Sequence, residues 1–392
     1  MNGLAVDLVL ALLLLLAAVC AQRLVADLRT LPRAGSGPGA RPRTVSVVVP
    51  ARDEAETLPH LLAAVRDQDP APLEVVVVDD ASRDATAEVA RTGGAEVVPA
   101  GSPPPGWTGK AWACRTGVDA TTGDLLLFLD ADTVLAADAL AGLLDVHARH
   151  GGLVSVQPHH AVVRPYEQLS AYFNVVAVMA SGAFTRAAGT ARQRHVPMAF
   201  GPCLLTSRAD YEAVGGHAAV RAEILDDAAL AAAYDRAGLP VRCAIGGDAV
   251  RMRSYPGGLR QLVAGWTKNI ASGASSAAPA ATAATVGWIS AHHAVAVGAL
   301  GSLVAATTGS GSGLVAGSAL LWAVAYVATA LHLRWVLRRT GSFRWWAWAL
   351  FPVPLLAFDL VFARSLALTV VRGSVSWRGR DVPLAEAPEG VG

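Results

Sequence analysis

Asp79 and Asp80 close one short β-branched run of the chain, and Asp130 and Asp132 close another, in Phe128-Leu129-Asp130-Ala131-Asp132-Thr133. Two aspartates separated by one residue at a strand end can hold a hard divalent cation, Mg²⁺ or Mn²⁺, whose remaining coordination sites take phosphate oxygens and water. Such an ion neutralises a departing diphosphate. A bare Asp-x-Asp more often caps a turn, because turns favour Asp. Here the apolar strand ahead of it and the companion Asp79-Asp80 pair reverse that preference.

The elements that must position these carboxylates alternate. Strands are expected over 45–49, 74–78, 95–99 and 125–129, with helices over 54–67, after Ser82, near 110–120 and over 136–150. Strand and helix at this spacing imply an α/β layer whose sheet is largely parallel and buried on both faces. Ligands bind such sheets at the carboxyl ends of the strands, where strand order reverses. Four carboxylates would then line one rim. The first strand runs into Pro50-Ala51-Arg52-Asp53-Glu54 without G-x-G-x-x-G, and neither a P-loop nor H-E-x-x-H occurs. Hydride transfer and ATP hydrolysis lose support. Residues 165–188, with Tyr166, Leu169, Tyr172, Phe173, Val176, Met179 and Phe184, read either as an amphipathic helix at a membrane surface or as a buried core helix.

The 392 residues are 53% hydrophobic and only 16% charged, too apolar for an ordinary soluble domain, so part of the chain belongs in a membrane. A formal net charge of +1, without a basic stripe, offers nothing to nucleic acid. Cys20, Cys114, Cys203 and Cys243 are scattered, which argues against a disulfide framework or structural zinc and for a reducing compartment. Residues 4–21 are apolar except for Asp7. With no Lys or Arg before them, they read as a retained anchor rather than a cleaved signal peptide. Arg23, Arg29, Arg33, Arg41 and Arg43 follow it and place the next domain on the cytoplasmic side. Residues 286–306 and 314–333 read as two spans joined at 309–313, returning to Arg334, Arg338, Arg339 and Arg344. The last apolar stretch, 345–371, holds Pro352, Pro354, Asp359 and Arg364 and precedes Arg372, Arg378 and Arg380. It is either a re-entrant or interfacial segment broken at Pro352 or a third crossing.

Four motifs in order, Val48-Val49-Pro50-Ala51-Arg52-Asp53-Glu54, Val78-Asp79-Asp80-Ala81-Ser82, Gly106-Trp107-Thr108-Gly109-Lys110 and Phe128 to Thr133, make the chain similar to the family 2 glycosyltransferases. Within that family it resembles the membrane-bound enzymes that glycosylate lipids, of hopene-associated and carotenoid type, and more distantly ceramide glucosyltransferases. The resemblance covers residues 45–382. It implies a GT-A fold in which Asp80 meets the base or ribose of a nucleotide sugar, with Asp79, Pro50, Arg52 and Glu54 in the same pocket. Lys110 would meet the diphosphate, where a solvated surface lysine is the plainer reading. Asp130 and Asp132 match the metal-binding pair, Asp132 being the more direct ligand. In Ile224-Leu225-Asp226-Asp227 the resemblance makes Asp227 the general base, with Asp226 in place of the usual Glu. Two acids welcomed by a helix dipole are the bland alternative. Gly216 and His217 match the loop on the acceptor side, while His217 by itself reads equally as a hydrogen-bonded structural histidine. The usual Gln/Arg-x-x-Arg-Trp element survives only as Gly265-Trp266-Thr267-Lys268-Asn269, keeping Trp266. Arg251, Arg253 or Lys268 would have to replace the missing Arg.

The expected architecture is therefore an α/β GT-A layer over 45–270, with an interfacial helix near 165–188. An anchor at 1–22 and a linker at 23–44 precede it, and a membrane region at 285–371 and a cytoplasmic tail at 372–392 follow. The expected activity is inverting transfer of a sugar from a nucleotide-sugar donor, of UDP type, to a hydroxyl of a membrane lipid or isoprenoid, with Mn²⁺ or Mg²⁺. A processive polysaccharide synthase and a polyprenyl-phosphate glycosyltransferase are the enzyme alternatives. A catalytically decayed membrane scaffold is the non-enzyme one.

Overall fold

A 22-residue apolar helix, α1 (Gly3–Leu24), opens the computed structural model, which describes residues 3–32, 43–185, 198–273, 278–308, 317–372, 374–377 and 380–383. Strand and helix then alternate through β1 (Val45–Ala51), α2 (Leu58–Arg66), β2 (Glu74–Asp79), α3 (Thr86–Thr92), β3 (Glu96–Pro99), α4 (Gly109–Asp119) and β4 (Leu125–Leu129). These four strands pair in the order β3-β2-β1-β4, all parallel. Their alternate residues enter opposite cores. Val47, Val49 and Leu127 pack with Leu58, Leu61 and Val65 of α2, while Val48, Val76 and Val78 pack with Ala113, Cys114 and Val118 of α4. Burial on both faces explains the unbroken Val and Leu runs.

The chain continues through β5 (Thr133–Leu135), α5 (Ala139–His150), β6 (Leu153–Gln157), β7 (His159–His160), a 3₁₀ turn (Pro165–Ser170) and α6 (Ala171–Ala180). Then come β8 (Cys203–Ser207), α7 (Arg208–Ala213), α8 (Gly216–Ala219), α9 (Asp226–Arg236), β9 (Val241–Ile245) and β10 (Val250–Met252). β8 enters antiparallel between β4 and β6, and β9 joins β6 in parallel, completing seven strands in the order β3-β2-β1-β4-β8-β6-β9. The order turns back between β1 and β4, which opens the ligand crevice at their carboxyl ends. β5, β10 and β7 form a small second sheet just past Asp132.

Two expected elements differ. The helix expected over 54–67 begins only at Leu58, because the backbone before it turns to meet the loop after β2: Glu54 N donates to Thr86 Oγ1 at 2.8 Å and Ala55 N to Asp84 Oδ2 at 3.0 Å. Pro59 then fits the first helical turn. The single interfacial helix expected over 165–188 is a 3₁₀ turn followed by ten helical residues, and 186–188 lie outside the described residues. Tyr172, Phe173, Val175, Val178 and Met179 are all buried, so α6 is a core helix enclosed by apolar helices rather than a strip laid on a surface.

Those helices are α1, α10 (Leu259–Gly273), α11 (Pro279–Thr308), α12 (Ala319–Thr340), α13 (Trp345–Ala349) and α14 (Pro352–Arg372); strands β11 (Ser374–Trp377) and β12 (Arg380–Pro383) pair after them. α1, α11, α12 and α14 are each long and apolar enough to cross a membrane. Leu12, Leu16, Leu300, Leu303, Leu320 and Leu360 stand on their exposed faces. The helix break ahead of α14 falls at Leu350-Phe351, where Pro352 would deny a preceding turn its hydrogen bond. The acids inside these helices are partnered: Asp7 accepts from Ser318 N at 2.7 Å, and Asp359 lies 2.8 Å from His293 Nε2. Phe173 stacks on Trp266 at 4.8 Å and meets Phe358 at 5.1 Å, tying α6 to α10 and α14. After α1 the chain docks on the sheet edge, with Leu31 N donating to Ile245 O at 2.9 Å and Ile245 N to Arg29 O at 2.8 Å. Of the expected linkers and tail, residues 33–42, 309–316 and most of 372–392 lie outside the described residues, as do 186–197.

α4 lies close against the sheet at Gly117, where a Cβ would come 2.4 Å from Val48 Cγ1 and 2.9 Å from Val78 Cγ2. Gly117→Ala is therefore expected to destabilise the protein by about 1–3 kcal/mol through overpacking. Adding Val48→Ala should recover part of that loss in a denaturation double-mutant cycle, whereas additive losses would mean that the two sites do not touch.

Candidate active site

The rim of the crevice is built where β1 and β2 end. Asp80 N donates to Ala51 O at 2.9 Å, and Arg52 Nη1 lies 3.4 Å from Asp80 Oδ2, both side chains largely buried. Asp53 and Ala81 hold positive φ of 53° and 55°, conformations that cost energy for residues with a Cβ and that cluster at functional rims. Hydrogen bonds lock both turns together: Asp53 N to Ser82 Oγ at 3.0 Å, and Arg83 N to Asp53 Oδ1 at 2.7 Å. Asp79 is at this rim, but its Oδ1 accepts from Ser82 N at 3.1 Å and so stabilises its own turn. Pro50 lines the deeper pocket beside it.

Deeper in, Thr108 caps the start of α4, its hydroxyl accepting from Ala111 N at 3.3 Å, and the first turn carries Lys110. Lys110 Nζ lies 2.8 Å from Asp130 Oδ1. Its stem is open, with the side chain 40% exposed, while the ammonium sits among carboxylates. Burial of that end works against the charge, but Asp130 and Asp226 outweigh it and hold the pKa well above the ordinary lysine value. Asp130 is anchored to the start of β8 by its N–H, which donates to Pro202 O at 3.1 Å. Burial pushes the Asp132 carboxyl up to about 7, and the negative charges of Asp130 and Glu54 add to the shift. A carboxylate raised in this way marks a place short of positive charge. The donors are all oxygen, which suits a hard cation such as Mg²⁺ or Mn²⁺.

Asp226 and Asp227 form the first turn of α9. Asp227 Oδ2 accepts from Gly201 N at 2.7 Å and Oδ1 from Ala228 N at 2.9 Å. Burial first, and the neighbouring Asp226 second, push the Asp227 carboxyl up to about 6. A Cβ on Gly201 would lie 3.1 Å from Asp227 Oδ2 and 3.2 Å from Lys110 Nζ, so one glycine touches both the acid and the cation. Asp226 is buried with its Oδ2 3.8 Å from His217 Nε2. His217 is 2% exposed, and burial brings its pKa down to about 4. Gly216, at φ 51°, turns the chain so that His217 reaches this place.

Pro50, Lys110, Asp130, Gly201, His217, Asp226 and Asp227 thus line one pocket; Asp132 feels Asp130 and Glu54, and Arg52 and Asp80 pair where β1 and β2 end. Gly201, Tyr211 and Cys114 contribute without having been singled out in the sequence. Tyr211 and Cys114 belong to no recognisable spacing, and only packing brings them beneath the aspartates. The stand-ins expected for the missing Arg are elsewhere. Arg251 pairs with Asp248 at 2.6 Å, both side chains exposed, and Arg253 pairs with Glu167 at 2.6 Å. Lys268 is half-buried on α10 and does not line this pocket. The pocket's cation is Lys110. Trp266 is buried, its Nε1 donating to Ser170 Oγ at 3.0 Å, and it packs against Phe173 and Tyr255.

A strand-end rim with paired acids, a cluster of carboxylate oxygens, an ammonium and a buried carboxylate with raised proton affinity thus meet in one place. The sequence profile of glycosyl transferase family 2 matches residues 46–215. The chain is 33% identical over 348 residues to the 4,4'-diaponeurosporenoate glycosyltransferase of Staphylococcus aureus strain MRSA252, covering 88% of this chain and 89% of that one. It is 36% identical over 256 residues to the enzyme of the same name from Staphylococcus haemolyticus strain JCSC1435, covering 64% of this chain and 67% of the relative. Among solved structures it is similar to the mannosyltransferase PcManGT from Pyrobaculum calidifontis in complex with GDP-Man and Mn²⁺. There the TM-score is 0.51 at 20% identity, over 92% of this chain and 97% of the other, a likeness of fold. With the sheet order, the site and these matches together, the chain belongs to glycosyl transferase family 2 and is a glycosyltransferase of GT-A fold.

Proposed function

We propose that the protein is an inverting glycosyltransferase that moves a sugar from a nucleotide-sugar donor, of UDP type, to a hydroxyl of a membrane lipid or isoprenoid. The observation that carries this reading is the convergence at Gly201, which touches both Asp227 and Lys110 while Lys110 reaches Asp130. A proton acceptor and a phosphate-binding cation are thereby held within one sugar's reach of each other. The nucleoside lies against Asp80 and Arg52, and the diphosphate meets Lys110. Asp132 and Asp130 would hold Mg²⁺ or Mn²⁺, which when bound neutralises the leaving diphosphate. Asp227 takes the acceptor hydroxyl's proton as that oxygen bonds to the anomeric carbon. The pair of the old C–O bond leaves with the nucleoside diphosphate, and one displacement inverts the carbon.

The apolar helices give this chemistry its setting. α1, α11, α12 and α14 would hold the catalytic layer at the bilayer as a multi-pass protein, with the arginines after α1 and α12 keeping it on the cytoplasmic face. An amphipathic acceptor then meets the site by local encounter rather than by a search through solution. A second reading draws on the relatives' name, which specifies the acid diaponeurosporenoate as acceptor. A carboxylate is already ionised near neutral pH and would place no demand on Asp227.

The assay is transfer of labelled sugar from UDP-sugars into organic-extractable lipid by membranes that contain the protein. Asp227→Asn should lower kcat on a hydroxyl acceptor about a hundred- to ten-thousand-fold while leaving donor binding nearly unchanged. Full activity in that variant would move the assignment to a carboxylate acceptor. Because Asp227 must be unprotonated to act and its pKa is about 6, the rate on a hydroxyl acceptor should fall about tenfold per pH unit below that point. A flat profile down to pH 5 would contradict the base role. Chelation with EDTA should abolish transfer and added Mn²⁺ or Mg²⁺ restore it, with Asp132→Asn raising the metal concentration required. Label in a long water-soluble polymer would instead indicate a processive synthase.

A further inference from the structure

Beneath the base, Tyr211, His217 and Asp226 form a buried row that the transfer reaction as described leaves unused. We propose that Tyr211 and His217 are positioning residues: the hydrogen bonds of Tyr211 fix the His217 ring so that its N–H is directed toward Asp226, and Asp226 in turn supports Asp227 beside it as the member of the pair that takes the proton. The proposal rests on the reading of Asp227 as base.

The geometry leaves little freedom. Tyr211, only 1% exposed, has two hydrogen-bond partners among the described residues, both on His217: the backbone N, 3.0 Å away, and ring Nδ1, 2.9 Å away. The backbone N–H can only donate, so the phenol oxygen accepts it. The phenol's own proton then has one destination, Nδ1. Nδ1 is therefore the acceptor and the ring proton sits on Nε2, which faces Asp226 Oδ2 at 3.8 Å. With Nδ1 protonated instead, the phenol proton would be buried without a partner among the described residues. Packing clamps the ring, which lies edge-on to Phe128 at 5.0 Å. The turn itself is shaped around the phenol, since a Cβ on Gly216 would fall 2.3 Å from the Tyr211 ring.

The charge balance follows. Asp227 feels Asp226 on its own helix, Lys110 from α4, and lies near Cys243 of β9; Asp226 feels Lys110 and Cys114 from α4 and His217 from α8. Lys110 favours both carboxylates. Of the two acids, Asp226 is the one that the His217 ring faces, and a charged Asp226 strengthens Asp227 as a base. Cys114, His217 and Asp226 also bring a thiol, an imidazole and a carboxylate within 4.8 Å of one another, a set that could take Zn²⁺. The Lys110 ammonium, held charged by Asp130 and Asp226, opposes a second cation there, and the positioning role is the better account of the trio.

The experiment compares pH–rate profiles of the full-length protein on a hydroxyl acceptor for wild type, Tyr211→Phe, His217→Leu, His217→Gln and Asp227→Asn. Thermal unfolding and donor binding accompany each profile. Without the directed N–H, the first proton goes to Asp226 and a weaker Asp227 survives to lower pH. His217→Leu and Tyr211→Phe should therefore move the acid limb down by about half a pH unit or more, with the rate between pH 6 and 7 reduced about three- to tenfold. His217→Gln, whose amide can donate from the Nε2 position, should restore the wild-type limb. Unchanged limbs in folded Tyr211→Phe and His217→Leu, with Asp227→Asn inactive, overturn the positioning role alone. An active Asp227→Asn overturns the base reading and the positioning role with it. One equivalent of Zn²⁺ bound by the wild type and lost in Cys114→Ser overturns the positioning role in favour of a metal site.

Discussion

The site depends on one ammonium. At the carboxyl ends of β1, β4 and α9's approach, Asp130, Asp132, Glu54, Asp226 and Asp227 crowd together, and among them Lys110 is the cation that lines the pocket. Burial first, and like charges so close second, raise the proton affinity of the Asp132 and Asp227 carboxyls. Lys110 reduces the repulsion and leaves room for substrate. Its position follows from α4, and α4 lies where it does because Gly117 lets the helix settle against Val48 and Val78. Electrostatics at the rim is thus fixed by van der Waals contact two turns down the helix.

The layer and the apolar helices share a core. Ala21 and Leu24 of α1, Tyr172 and Phe173 of α6, Trp266 of α10, Trp288 of α11, Trp322 of α12 and Phe358 of α14 belong to one buried cluster, which also takes in Ile245 of the sheet edge. Tyr172 carries its hydroxyl into that cluster and bonds it to His292 Nδ1 at 2.6 Å. A catalytic domain merely tethered by a flexible stalk would show no such packing. Here the aromatic residues of α6 and α10 join the edge of the sheet to the apolar helices.

Much of this was legible in the chain. β1 to β4 stand within a residue or two of where β-branched runs placed them, because strands buried on both faces leave an uninterrupted apolar signal. Asp80, Asp130, Asp132 and Asp227 occupy places that strand-end logic and family likeness could reach. Other features leave no local trace. The turn at 54–57 exists because of partners around Ser82 to Thr86, and β8 runs antiparallel because of where the chain returns after α6. α6 itself is core because other helices surround it; hydrophobic periodicity alone reads the same for a membrane surface and a protein interior. The acidic neighbours of Arg251 and Arg253, Asp248 and Glu167, were likewise not to be read from the sequence. Tyr211 was unreadable because a phenol's value lies in what it touches.

The docking of residues 29–31 on Ile245 sets an order of events during synthesis. The edge strand that receives them, β9, is made long after α1, once nearly the whole α/β layer has emerged. In the proposed membrane placement the first helix is inserted while its sheet does not yet exist, and the growing layer condenses on a leash already fixed to the bilayer. Domains fold as units in N-to-C order during translation. A segment made well before β9 thus waits to become the outermost rung of the sheet.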